Sequence, residues 1–161
     1  MMLADLGVKV IKVESLDGDH GRAVARFAGD GSDPFDAASS FYFEYLNRQK
    51  LGIALDLKHA KGLEVMRRLV EESDVFVQNF RQGVAERLGI GYDTLKKINP
   101  MLVYGSASGY GTKGPDSHLP SFDGCGQARG GLMMSATPLG AQEPSRVNQG
   151  VSDQIGGIML C

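Results

Sequence analysis

The chain has 161 residues, with 17 Lys and Arg against 19 Asp and Glu, for a net charge of −2. Without a basic excess there is no electrostatic case for nucleic acid, and no apolar run nears the roughly 20 residues of a membrane span. Two cysteines, Cys125 and Cys161, fit a reducing compartment, and no leader pattern opens the sequence, so the expectation is a cytoplasmic globular chain. The 22 glycines are roughly double the usual share and point to tight turns and close backbone approach.

The opening Leu3-Ala4-Asp5-Leu6-Gly7 reads as the last turn of a helix stopped by glycine. A strand is predicted over 8–13. Residues 14–40 are polar and glycine-rich, a long excursion over the surface. Leu51, Ile53, Leu55 and Leu57 recur at period two and predict a strand over 51–57. From His59 to Ser73, Leu63, Met66, Leu69 and Val70 share one helical face, with Arg67, Arg68, Glu71 and Glu72 outside it.

A short buried strand is predicted at 74–77. Short helices follow at 84–88 and 93–98, the second opened by Asp93 and stopped by Asn99-Pro100. Residues 101–104 read as the next strand, and Ile155 to Cys161 as an apolar helix with no stop signal. Strand alternating with helix predicts an α/β fold, a Rossmann-like parallel sheet with flanking helices. Ligands of such sheets bind beyond the carboxyl ends of the strands, which directs attention to loops 14–22, 56–59, 78–83, 105–120 and the approach to residue 153. Both ends look abrupt, so the expectation is an interior piece of a longer protein.

Gly109-Tyr110-Gly111-Thr112-Lys113-Gly114 matches G-x-G-x-x-G after a strand, but Pro115 to Pro120 continue as loop and open no helix. A dinucleotide site needs that helix N-terminus, and a phosphate loop needs Ser or Thr after Lys113, so neither fingerprint is present. His20, His59 and His118 share no metal-ligand spacing with the cysteines, and no metal site is expected. No Gly-x-Ser-x-Gly elbow supports serine hydrolysis. Asp153, in Gln149-Gly150-Val151-Ser152-Asp153-Gln154-Ile155-Gly156-Gly157, stands at the expected start of the last helix. It reads as an ordinary N-cap. It also reads as a carboxylate kept ionised by the helix dipole, able to attack an activated carbonyl that the flanking glycines let approach.

The chain resembles the class III CoA-transferases of the CaiB/BaiF type. The resemblance rests on Leu46-Asn47-Arg48-Gln49-Lys50 through Ile53-Ala54-Leu55-Asp56-Leu57-Lys58, on Asp74 through Val84, and on Arg87-Leu88-Gly89-Ile90-Gly91-Tyr92. Asn99-Pro100, Ser108-Gly109-Tyr110-Gly111, Gly114-Pro115 and Ser152-Asp153 complete it. It implies that residues 1–161 are part of a large CoA-binding domain, with the first strand, a small domain and the C-terminal portion outside this chain. The full-length protein would be an interlocked homodimer.

The implied reaction moves CoA from an acyl-CoA thioester to a free carboxylic acid, with CoA as carrier and no permanently bound cofactor. Asp153 matches the family nucleophile, which passes through an aspartyl anhydride and an aspartyl-CoA thioester. Leu55, Lys58, Asn79, Phe80 and Arg87 match CoA-contacting positions. Read as plain residues, Lys58 is a solvated strand-end charge, Phe80 is core, and Arg87 is paired with Glu86 or Asp93. Ser15 stands where several transferases carry an arginine against the adenine.

Related racemases place His before Asp at the position of Phe122-Asp123, and Phe122 cannot take a proton. Asp123 reads either as a second acid near the site or as a cap for a helix over 124–131. The alternatives to a transferase are thus an α-methylacyl-CoA racemase-like enzyme and an inactive CoA-binding fragment.

Overall fold

A computed structural model of the chain describes residues 1–23, 40–147 and 150–161. Most of the predicted excursion over 14–40, and Gln149 in the approach to Asp153, lie outside the described residues. The chain divides into two units, Met1–Met66 and Arg67–Cys161.

In the first unit, helix α1 (Met2–Asp5) ends as the sequence predicts, with Gly7 at φ 88°. Gly7 N–H donates to Ala4 O at 2.9 Å and Val8 N–H to Leu3 O at 3.0 Å, the paired bonds of a Schellman motif. That closure holds Val8, so strand β1 begins two residues later than expected, at Val10–Glu14. Helix α2 (Phe41–Asn47) is capped by Ser40, whose Oγ accepts from Phe43 N–H.

Strand β2 (Lys50–Ala54) pairs parallel with β1, Val10 opposite Lys50 and Glu14 opposite Ala54. Leu55 N–H extends the ladder to Glu14 O at 2.9 Å. The predicted strand over 51–57 stops there because Asp56 makes a turn. Its Oδ1 accepts from Lys58 N–H and its carbonyl from His59 N–H.

Helix α3 (Ala60–Glu71) then runs into the second unit. Of the predicted apolar face, Met66 and Val70 are buried, while Arg67, Arg68 and Glu71 are exposed.

Strand β3 (Val75–Gln78) pairs parallel with β4 (Val103–Ser106). Between them lie helices α4 (Val84–Arg87) and α5 (Tyr92–Ile98). The expectation of a buried β3 is corrected: Val75 is 49% and Val77 50% exposed. The reason is that β3 has one partner strand among the described residues, and its apolar contact lies on the other face, where Phe76 stacks on Tyr104 at 5.2 Å.

α5 opens on Gly91 rather than Asp93, which makes no capping bond. Gly91 O receives both Thr94 and Leu95 N–H. Asn99 ends the helix as predicted, but its turn takes Met101 N–H onto Oδ1 and delays β4 to Val103. The core of this unit is Val70, Ala85, Ile90, Leu95 and Leu102. Three further helices follow: α6 (Asp123–Arg129), α7 (Leu132–Ser135) and α8 (Val151–Leu160). The fold is α/β, with one short parallel strand pair and flanking helices in each unit.

Candidate functional site

Helix α8 carries Asp153, but not at the predicted cap. Gly150, in the left-handed region at φ 64°, is the N-cap, and Asp153 lies in the first helical turn. Its side chain makes no hydrogen bond among the described residues. Burial pushes its pKa up from the usual aspartate value, the negative charge of Asp123 adds to the rise, and Arg146 partly opposes it. In the first turn of α8 the helix-end field, worth about 0.3–1 kcal/mol, favours the charged form, while desolvation and the Asp123 charge act against it. Gly156 and Gly157 leave open space beside the helix, with no atom within 4 Å of where a side chain would begin.

Asp123 departs from its reading as a cap of the helix that follows it. It is the first residue of α6, buried to 6% exposure, and does not cap its own helix. Its Oδ1 accepts the Ser152 N–H at 2.7 Å, so it caps α8, one residue before Asp153 in the chain. Its Oδ2 accepts from Gln127 Nε2 at 2.6 Å, and Arg146 approaches that oxygen at 3.9 Å. Gln127, fully buried, also grips the backbone leading to α8: its Nε2 donates to Val147 O at 2.7 Å and its Oε1 accepts from Val147 N–H at 2.9 Å.

Gly126 makes this approach possible, because a Cβ there would stand 2.8 Å from Ser152 Cβ. Gln127, Gly126 and Arg146 are absent from the sequence reading. The i, i+4 spacing of Asp123 and Gln127 on one helix is the signal that finds the first of them. Phe122, the racemase position, is 73% exposed and brings no acid or base.

A second feature lies past the carboxyl ends of β3 and β4. A shallow depression of about 60 Å³ is lined by Gln78, Phe80, Gly83, Glu86, Ser106 and Thr112, among others. Asn79 is exposed beside it, and Phe80, at 38% exposure, is a lining residue rather than core. Gln78 shapes the loop: its Nε2 donates to Ser106 Oγ at 2.7 Å, and its Oε1 accepts Phe80 N–H at 2.7 Å. Arg87 is exposed at the end of α4, and the ion pairs among the described residues do not include it. The Glu86 and Asp93 pairings are thus not made. The glycine-rich 109–114 segment is loop, as expected, and Thr112 O accepts from Gln82 Nε2 at 3.5 Å.

In the first unit, Leu55 is half-buried at the carboxyl end of β2, and Lys58 is exposed in the turn after it. Ser15 Oγ donates to Gly18 O at 3.0 Å and closes a turn after β1. That loop is pinned by Glu14, which receives Arg22 Nη2 at 3.1 Å and Lys12 Nζ at 3.3 Å. Desolvation works against the Glu14 carboxylate, but its bonds to Arg22 and Lys12 prevail and its pKa is lowered. Among the described residues, no group of three or more His, Cys, Asp or Glu side chains is placed to hold a metal ion. No helix there is long and apolar enough to cross a membrane.

A short parallel strand pair flanked by helices in each unit makes this an α/β protein. The family model for CoA-transferase family III matches residues 1–161, and the chain belongs to that family. It is 40% identical to the acetyl-CoA:oxalate CoA-transferase of Acetobacter aceti, over 99% of this chain and 39% of the relative. It is 35% identical to the succinyl-CoA:glutarate CoA-transferase of Homo sapiens, over 98% of this chain and 34% of the relative. The crystal structure of Rv3272 from Mycobacterium tuberculosis superposes with a TM-score of 0.84 at 33% identity, covering 98% of this chain and 42% of that one. A CAIB/BAIF family protein from Brucella suis gives a TM-score of 0.78 at 35% identity, covering 98% and 43%. The chain thus spans about a third to two fifths of the length of these relatives.

Proposed function

We propose that the protein moves CoA from an acyl-CoA thioester to a free carboxylic acid, with Asp153 as the covalent nucleophile. One observation carries the reading. The Asp153 carboxylate, in the first turn of α8, makes no hydrogen bond among the described residues and stands beside glycines that admit a substrate, while Asp123 caps the helix at Ser152. An acidic side chain at this helix position commonly reaches back to the N-cap N–H.

The chemistry balances without redox or metal steps. A carboxylate oxygen of Asp153 attacks the thioester carbonyl, the C–S bond breaks, and an anhydride and the CoA thiolate result. The thiolate attacks the aspartyl carbonyl and releases the donor acid, leaving an aspartyl-CoA thioester. The acceptor carboxylate attacks that thioester and expels the thiolate. The thiolate then takes the new acyl group and restores Asp153.

Contacts to CoA belong to the same proposal. Arg87 offers an exposed guanidinium without an ion-pair partner among the described residues, which suits phosphate by charge and fork geometry. Phe80 offers an apolar face and Asn79 an exposed amide beside the depression. Lys58 supplies an exposed ammonium and Leu55 apolar surface at the end of β2. Residues 1–161 are then a CoA-binding part of the large domain. The full-length protein is proposed to be a homodimer, on the family resemblance.

The full-length protein is incubated with acetyl-CoA or succinyl-CoA, trapped with hydroxylamine or borohydride, and mapped by mass spectrometry. The expected result is an adduct on the peptide containing Asp153. An adduct confined to another residue, or an Asp153→Ala enzyme with full turnover, would falsify the assignment.

A further inference from the structure

We infer that Asp123 is a positioning residue for Asp153: from a neighbouring helix its buried carboxylate caps α8 at Ser152, the residue beside Asp153, and places a charge of the same sign near it. The inference rests on the reading of Asp153 as nucleophile.

The first turn of any helix presents N–H groups that seek an acceptor. An acidic side chain three residues past the N-cap commonly turns back to satisfy one of them. Asp153 occupies that place, counted from Gly150, and makes no such bond among the described residues; the Ser152 N–H, which an N-cap side chain would receive if Gly150 had one, goes to Asp123 Oδ1 at 2.7 Å. Asp123 cannot swing away. Its other oxygen is held by Gln127, and Gln127 is held by both polar groups of the Val147 backbone. α6, Val147 and the first turn of α8 therefore form one hydrogen-bonded frame, closed by the tight passage of Gly126 against Ser152.

The frame does two things for the reaction. It fixes the Cα of the attacking residue, and misplacement by about 1 Å can cost on the order of 100-fold in rate. It also sets a like charge near Asp153. The charged groups acting on Asp153 are Asp123 from α6 and Arg146 from the segment entering α8, and the acid outweighs the base. Acylation turns Asp153 neutral and relieves that repulsion, so Asp123 favours the covalent intermediate over the free carboxylate.

The test uses the full-length enzyme and single-turnover acylation of Asp153 by acetyl-CoA or succinyl-CoA, followed by mass across pH. Asp123→Asn removes the charge and sets an amide N–H against Gln127 Nε2. The expected result is a plateau rate slower by about 100-fold, an acid limb displaced to lower pH, and calorimetric affinity for free CoA unchanged. Gly126→Ala presses on Ser152 but keeps the charge, so its plateau falls while its acid limb stays. A purely structural Asp123 would not move the limb.

A cooperatively melting Asp123→Asn enzyme with wild-type rate and limb overturns the inference while an Asp153 adduct preserves the nucleophile reading. If Asp123→Asn does not fold, Gly126→Ala decides, and a wild-type plateau there overturns it equally. A wild-type enzyme acylated elsewhere overturns both.

Discussion

The guanidinium of Arg87 rests against the backbone of Gly83: a Cβ built at position 83 would stand 3.2 Å from Nη1. Gly83 is the N-cap of α4, at φ 77°, a conformation L side chains adopt at a cost of about 1–2 kcal/mol. Gly83→Ala thus combines backbone strain with a displaced arginine. The expected outcome is a loss of about 1–2 kcal/mol in urea unfolding, together with weaker CoA binding. A variant as stable as wild type would show that the local backbone relaxes freely.

Arg87 and Lys58 are both exposed, and neither has an ion-pair partner among the described residues. If they meet CoA phosphates, Arg87→Ala and Lys58→Ala each weaken calorimetric CoA affinity by about tenfold at low salt. The difference shrinks as salt screens the contact. Equal affinity at low salt in both variants returns them to the solvent-exposed surface.

Asn99 stabilises the second unit without touching the site. Its Nδ2 donates to Val70 O at 3.1 Å and Ser73 O at 2.8 Å, and so satisfies carbonyls at the end of α3. Asn99→Ala leaves both without that donor and is expected to cost about 1–3 kcal/mol. Acylation of Asp153 at a temperature where the variant is folded should be unchanged. A slowed acylation there would tie Asn99 to the site instead.

What the sequence made legible follows from the range of the interactions involved. The α3 face was readable because Met66 and Val70 repeat a helical period, and Gly7 because a left-handed stop is a local need. Strand starts were misplaced by two residues at β1 and β4. The closures at Val8 and Asn99 consume residues that have strand-like side chains.

Asp153 was visible as a carboxylate at a helix start, but its freedom was not. The group that caps α8, Asp123, lies 29 residues before Ser152 in the chain. Gln127 binds Val147 across 20 residues. No local pattern encodes either bond.

Asp153 sets function against stability, and pH separates the two. Its folded pKa lies above the unfolded aspartate value near 3.9, because of burial first and Asp123 second. The unfolded chain then releases this proton more readily than the folded one. Stability from this group is fully present below the unfolded pKa and is lost as pH rises through the folded pKa. Asp153→Asn removes the ionisation while keeping the shape. Its melting temperature should exceed that of wild type at pH 7, and the advantage should narrow as pH is lowered through the window above 3.9. Turnover should be lost at every pH, since an amide is no substitute for a carboxylate nucleophile. The measurement is a pair of thermal melts at stepped pH, with transferase turnover alongside. A variant that melts below wild type at pH 7 would show that the helix-end field prevails over desolvation and the Asp123 charge at this position.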